Sequence, residues 1–170
     1  MNRRSIVSIF TMTALGLALL PGGAGSQQKS LREQLVGVWT LVSNENTLPD
    51  GTKRQLFGPN PRGILILDAS GRYAQMQVRP DRPKFKVNNR LEGTAEENRA
   101  VIHATVAIFG SWSVDEASKT LIMTLETSMF PNQEGEVSRR PFTVSDDELK
   151  WIAPSPGAGG RNESVYRRAK

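Results

Sequence analysis

The residues that could carry out covalent chemistry are few in this sequence. His103 is the only histidine, and the 170 residues include no cysteine, which excludes a thiolate nucleophile and a sulfur-rich metal site. A serine nucleophile would need His103 beside both a serine and an orienting acid, and the sequence has no Gly-x-Ser-x-Gly motif. Glu96 and Glu97 are adjacent and would diverge on a helix, so they do not form a metal site. The sequence therefore predicts neither a metal nor another cofactor.

A polar stripe on one predicted strand is the main candidate for a binding site. Over residues 73–79, polar and apolar side chains alternate, so the polar ones share one face of a strand. That face lies either in water or towards an interior, where amides and a guanidinium would orient a carboxylate or a carbonyl group. The residues of the stripe are Tyr73, Gln75, Gln77 and Arg79.

Three further aromatic side chains could contribute to the same site. His103 either faces solvent, or lies satisfied in the core, or handles a proton. Trp112 and Trp151 belong either to the core or to a cavity wall. We therefore add His103 and Trp112 to the candidate ligand-binding residues.

Several arginines carry the positive charge that an anionic ligand would need. They are either solvated surface charges or, if two converge at the mouth of a cavity, the determinants of an anionic small molecule. No basic run is interleaved with aromatic residues, so the sequence does not predict nucleic-acid binding. These arginines are Arg62, Arg79, Arg82, Arg139 and Arg140.

The polar stripe lies in a block, residues 55–83, that predicts a hairpin. Strands at 64–68 and 72–79 are joined by Ala69-Ser70-Gly71, in which Gly71 can adopt the positive φ that a tight turn requires. The preceding 58–63 segment contains two prolines, which excludes a helix or a central strand there.

The rest of the chain predicts an all-β domain with one short helix. Residues 35–44 form a first strand that is apolar on both faces and is expected in the centre of a sheet. Residues 95–108 form the helix, capped by Thr94 with Glu97. Nine strands with so little helix would leave open edges unless the sheet closes into a barrel of 8–9 strands. The other predicted strands are 52–57, 107–114, 120–127, 137–145, 148–153 and 164–169.

Residues 1–28 predict an export signal with a short lead-in, and residues 29–170 predict the barrel domain. Arg3 and Arg4 precede an apolar run at 6–20, which small residues follow. Twin-arginine export is an alternative to the general secretory route. The expected location is periplasmic or extracellular, and no other stretch predicts a membrane-spanning segment.

Several of these motifs resemble the bacterial lipocalin-like domain family, whose members are exported calycin-like barrels. The resemblance rests on Gly37-Val38-Trp39, the Gly-Pro-Asn-Pro-Arg-Gly loop at 58–63, the hairpin turn, and Arg-Pro-Asp-Arg-Pro at 79–83. It implies an antiparallel barrel with a central cavity, and for most members no established activity. It also implies that Trp39 closes one end, beside Gly37, with Arg167 or Arg168 stacked on its ring.

Two positions depart from the family pattern. Members often carry a histidine pair where this chain has Met123 and Thr124, and an aromatic residue where it has Gln133. A role that depends on those histidines is therefore not implied here.

Three functions remain open at this point. The first is an exported binder of a small, largely apolar or amphipathic molecule, with or without an anionic group. The second is a cofactor-free isomerase, cyclase or hydrolase that uses Tyr73, His103 or Arg79. The third is a structural or interaction module whose barrel is filled by its own side chains, which a cavity of at least about 300 Å³ would argue against. Binding ranks above catalysis because the stripe contains no reactive group, and the oligomeric state is open.

Overall fold

The computed structural model describes residues 29–154 and 159–170, so the predicted export signal lies outside the described residues. Short 3₁₀ turns occupy Arg90–Glu92 and Pro131–Gln133. The helices are α1 (Leu31–Leu35) and α2 (Ala95–His103), and the strands are β1 (Gly37–Thr47), β2 (Lys53–Arg54), β3 (Arg62–Leu67), β4 (Arg72–Val78), β5 (Thr105–Asp115), β6 (Thr120–Ser128), β7 (Val137–Val144), β8 (Glu148–Pro154) and β9 (Arg161–Arg168).

Eight of the strands close into an antiparallel barrel, as the sequence predicts. From β3 to β9 each strand pairs with the next, and β1 pairs with both β3 and β9, which closes the ring. The short β2 pairs with the far end of β1. Of the predicted 52–57 strand, only Lys53–Arg54 forms, and Phe57 beyond it is buried near the barrel opening.

The predicted hairpin forms between β3 and β4. Gly71 has φ 90°, a left-handed conformation that strongly favours glycine. The Asp68 backbone N–H donates to the Arg72 carbonyl at 2.8 Å, and Asp68 Oδ1 accepts the Ser70 N–H at 2.7 Å. The turn therefore fixes which side chains of β4 face the interior.

As expected, β1 lies between neighbouring strands on both sides, but its apolar outer face is not covered. Val38 and Val42 are 38% and 42% exposed, because β1 is a wall of the barrel and its outer face meets solvent. The pairing with β9 shifts between Leu41 and Ser43. Such a bulge adds one residue and reverses the alternation beyond it.

The helix predicted at 95–108 begins where expected, but the observed helix ends earlier, at His103. Thr94 Oγ1 accepts the Glu97 N–H at 3.2 Å, and Glu97 Oε2 accepts the Thr94 N–H at 2.9 Å, which is the predicted capping box. Thr105 already pairs with Val78 in the sheet, so α2 ends at His103. No residue of α2 is buried.

The helix α1 closes one end of the barrel over Trp39. Trp39 is fully buried, and its Nε1 donates to the Leu35 carbonyl at 2.9 Å. The Arg168 guanidinium lies 4.0 Å from the centre of the Trp39 ring and donates to the carbonyls of Gln34 and Val36 at 2.6 and 3.1 Å. Gly37 (φ 140°) makes room for this guanidinium, since a Cβ there would lie 2.9 Å from Arg168 Nη1. We call this the closed end.

Within residues 29–154 and 159–170, neither helix has the length and hydropathy needed to cross a membrane.

Candidate binding cavity

A cavity of about 580 Å³ fills the half of the barrel opposite the closed end. It opens between α2 and the 3₁₀ turn at Pro131–Gln133, because residues of both line it together with the ends of the strands. Its apolar wall includes Phe57, Ile102, Ile108, Leu125, Phe130 and Trp151. Its polar wall includes Asn44, Gln75, Gln77, Arg140, Asn162 and Ser164.

Arg140 is the cation of this cavity. Its guanidinium lies 4.9 Å from the centre of the Trp151 ring, and its Nε donates to Ser138 Oγ at 2.9 Å. Burial lowers the pKa of the Arg140 guanidinium, but arginine begins so high that the side chain stays charged. Among the described residues, no carboxylate forms an ion pair with Arg140. The cavity therefore presents a positive charge without a protein counter-ion.

The part of the polar wall that lies on β1 and β9 is a hydrogen-bonded network of two amides and one hydroxyl. Asn44 and Asn162 exchange side-chain hydrogen bonds of 2.9 and 2.8 Å. Ser164 Oγ accepts from Asn44 Nδ2 at 3.0 Å and donates to Asn162 Oδ1 at 2.9 Å. The bulge in β1 is what turns Asn44 inward, so this network depends on it.

Two tyrosines lie beneath the cavity, towards the closed end. Tyr166 is fully buried and its hydroxyl accepts from Gln77 Nε2 at 2.6 Å. Tyr73 is also buried, and within the described part of the chain its hydroxyl has no hydrogen-bond partner. Burial raises the pKa of Tyr73 to about 12, while the nearby Arg140 charge acts in the opposite direction. Both hydroxyls are therefore neutral at physiological pH.

The predicted polar stripe turns out to face the interior over most of its length. Tyr73, Gln75 and Gln77 are buried, and Gln75 and Gln77 line the cavity, whereas Tyr73 lies below it. Arg79 is beyond the end of β4, where its Nη2 pairs with Asp81 Oδ2 at 3.0 Å, and it does not line the cavity. The choice between water and interior, left open by the sequence, is thus resolved towards the interior for three of the four residues.

The other two predicted ligand-binding residues lie far apart. His103 is exposed at the mouth and lines the cavity there. Trp112 lies at the closed end, where its Nε1 donates to the Asp68 carbonyl at 3.0 Å and Arg32 stacks on its ring at 4.7 Å. Trp112 is therefore part of the core, and Trp151 is the tryptophan of the cavity wall.

Sequence reasoning did not separate Arg140 from the other arginines. Among the five named arginines, only Arg140 lines the cavity, so the expected convergence of two is not found. Alternation along β7 was the available signal, because Arg140 shares a strand face with Phe142, which is buried, while Arg139 is exposed.

The cavity offers little for acid-base or metal chemistry. Among the described residues no aspartate or glutamate lines it, and His103 at the mouth is its only imidazole. No group of three His, Asp or Glu side chains in the described part of the chain is placed to hold a metal ion. What the cavity supplies is a fixed positive charge, amides and an apolar wall.

Two comparisons give similarities to known proteins. The model of a family described as a lipocalin-like domain matches residues 36–164. Among solved structures, the chain is similar to a lipocalin-like protein from Bacteroides uniformis ATCC 8492, with 12% sequence identity and a TM-score of 0.45 over 80% of this chain and 99% of that one. No protein with a curated description matches the sequence.

Proposed function

This chain belongs to the lipocalin-like domain family, and from that premise we propose that it binds a small, largely apolar molecule with an anionic head in its barrel cavity. The family fold suggests a barrel that holds a ligand, and the side chains of this cavity suggest the kind of ligand. No covalent step is required of the protein.

The observation that carries the proposal is the isolated charge of Arg140. Taking a guanidinium out of water is costly, and a partner anion offsets the cost through charge-assisted hydrogen bonds. The only hydrogen bond of the guanidinium within the described residues is the one from Nε to Ser138, so both terminal nitrogens remain available. A carboxylate matches this fork with two parallel hydrogen bonds.

The size and lining of the cavity support a ligand with an apolar body. A volume of about 580 Å³ lies within the range of small-molecule sites. It also argues against a barrel filled by its own side chains, the third function considered from the sequence. Phe57, Ile108 and Leu125 line the same cavity and give the ligand apolar contacts.

The enzyme alternative receives less support. Among residues 29–154 and 159–170, the titratable side chains that line the cavity are His103, which is exposed at its mouth, and Arg140. Tyr73, a candidate proton donor, has a pKa raised to about 12 by burial, far from the value that a general acid or base needs near neutral pH. A passive binding site accounts for the same residues without a reaction.

The predicted export signal places this binding outside the cytoplasm in our proposal. The basic start and the apolar run of residues 1–28 motivate it. Sequencing the N-terminus of the protein recovered from the periplasm or medium tests it, and an intact Met1 on that material would contradict cleavage.

The binding proposal is tested with a charged ligand and its neutral analogue. Decanoate and decanol have the same chain length, so isothermal titration of both isolates the contribution of the head group. We expect decanoate to bind at least tenfold more tightly. Arg140→Gln should remove most of that preference, whereas Arg139→Gln, on the exposed face of the same strand, should retain it. Equal binding of the two ligands to the wild-type protein would overturn the proposal.

A further inference from the structure

The Gln75 side chain is a buried amide of the cavity without the hydrogen bonds that its neighbours form. Asn44, Asn162 and Gln77 each form side-chain hydrogen bonds. Gln75 is only 7% exposed and lines the cavity, yet its Oε1 has no hydrogen-bond partner within the described part of the chain. Its Nε2 takes part in none of the hydrogen bonds found there either. An amide left without partners in a buried site is costly, and a bound polar group would offset that cost.

A hydroxyl group suits this amide best. A hydroxyl can donate to Oε1 or accept from Nε2, so it pairs with Gln75 in either orientation of the amide. A second carboxylate is a poorer match, because it only accepts hydrogen bonds and the cavity holds one guanidinium. The lone amide therefore indicates a neutral polar substituent in addition to the anionic head.

The strand directions place this pair of contacts in the inner half of the cavity. From the hairpin near the closed end, β4 runs outwards through Tyr73, Gln75 and Gln77 to α2. From the 3₁₀ turn at the mouth, β7 runs inwards and reaches Arg140 in its middle. The polar end of a ligand thus has its partners inside, on both β4 and β7.

The mouth carries two large apolar side chains beside the polar His103 and Gln133. Ile102 on α2 and Phe130 beside the 3₁₀ turn are 53% and 50% exposed and line the opening. An apolar chain that passes between them gains contact with both. Because Gln75 and Arg140 both lie on the inner half of the cavity, the polar substituent belongs near the carboxylate.

We infer that the ligand is a hydroxylated carboxylate bound head first, with its carboxylate at Arg140, its hydroxyl at Gln75 and its apolar chain leaving between Ile102 and Phe130. The inference rests on the proposed function, since it requires the anionic head to bind at Arg140. It adds the hydroxyl group, its position on the ligand and the residue that selects it.

Three ligands of equal chain length test the inference on the unmodified protein. We expect 3-hydroxydecanoate to bind about five- to tenfold more tightly than decanoate, the factor that one net hydrogen bond gives. The isomer 9-hydroxydecanoate has the same composition with its hydroxyl at the tail, and it should bind no more tightly than decanoate. Equal affinities for the two isomers would overturn the inference.

The variant Gln75→Met assigns the preference to one side chain. Methionine has nearly the same length and no amide. The variant should therefore bind 3-hydroxydecanoate and decanoate with about equal affinity, while decanoate binding itself persists. An unchanged preference would overturn the role of Gln75, and if the variant does not fold, the comparison of the two isomers on wild-type protein still decides. The proposed function fails separately, when decanoate itself does not bind or binds no better than decanol.

Discussion

The Arg140 guanidinium stacks on Trp151 inside the cavity, with 4.9 Å between its central carbon and the ring centre. The stacking covers one face of the guanidinium plane, and Nε is engaged by Ser138. These two contacts restrict the orientation of the side chain, and among the hydrogen bonds of the described residues its terminal nitrogens form none. A fixed fork of this kind can recognise a carboxylate at a small entropic cost.

Replacing Arg140 with lysine separates the charge from the geometry. Lysine keeps the positive charge but has no planar fork to stack on Trp151 or to form two parallel hydrogen bonds. We expect Arg140→Lys to weaken decanoate binding about tenfold, between wild type and Arg140→Gln, by isothermal titration. If lysine binds decanoate as well as arginine does, the orientation given by Trp151 has no role in recognition.

The two buried tyrosines should respond differently to loss of their hydroxyls. Tyr73→Phe removes a buried hydroxyl without a partner, so the free energy of unfolding should stay the same or rise by up to about 1 kcal/mol. Tyr166→Phe leaves Gln77 Nε2 without its acceptor and should lower that free energy by about 1–2 kcal/mol. Urea unfolding of both variants measures the difference, and a larger loss for Tyr73→Phe would contradict this view of the interior.

Alkaline pH should destabilise the barrel through the same tyrosines. Burial raises the pKa of Tyr73 to about 12 and also raises the pKa of Tyr166, so the fold favours their neutral forms. This stabilisation is complete below the pKa of tyrosine in the unfolded chain, about 10. It is lost as the pH rises from 10 through the folded-state pKa values.

Urea unfolding from pH 8 to pH 12 checks this dependence. The free energy of unfolding should begin to fall near pH 10, and the fall should be shallower in the double variant Tyr73→Phe with Tyr166→Phe. An equally steep fall in the double variant would show that other groups cause it.

Arg168 should matter for stability and leave ligand binding intact. Besides stacking on Trp39, it donates to the carbonyls of Gln34, Val36 and Asp146. We expect Arg168→Gln to lower the free energy of unfolding by about 2–3 kcal/mol. The neighbour Arg167 is exposed, so Arg167→Gln should change it by less than about 0.5 kcal/mol. Equal effects of the two substitutions would contradict the role of Arg168 at the closed end.

The hairpin is predictable from the sequence because its signals are local. Gly71 marks the turn, and alternation marks the face of β4, so the sequence alone assigns Tyr73, Gln75 and Gln77 to one side of the strand. Alternation does not say whether a polar face points to water or to an interior. That choice depends on the curvature of the whole sheet, which closes only when β9 meets β1.

The rest of the cavity depends on a strand bulge and on long-range strand pairing, which a local sequence pattern does not reveal. The bulge near Val42 reverses the alternation of β1 and brings Asn44 inside, although simple alternation from Trp39 would place Asn44 outside. The predicted helix extends to residue 108, but Thr105 and the residues after it pair with β4, and a local pattern does not contain that long-range pairing.

The central claim is that an anionic head group lies inside the barrel against Arg140, and a crystal structure of the protein with decanoate tests it most directly. We expect the carboxylate at about 2.7–2.9 Å from the terminal nitrogens of Arg140, with the chain directed towards Phe130. A decanoate whose carboxylate points out of the mouth into water, or one bound outside the barrel while the cavity holds none, would contradict the claim.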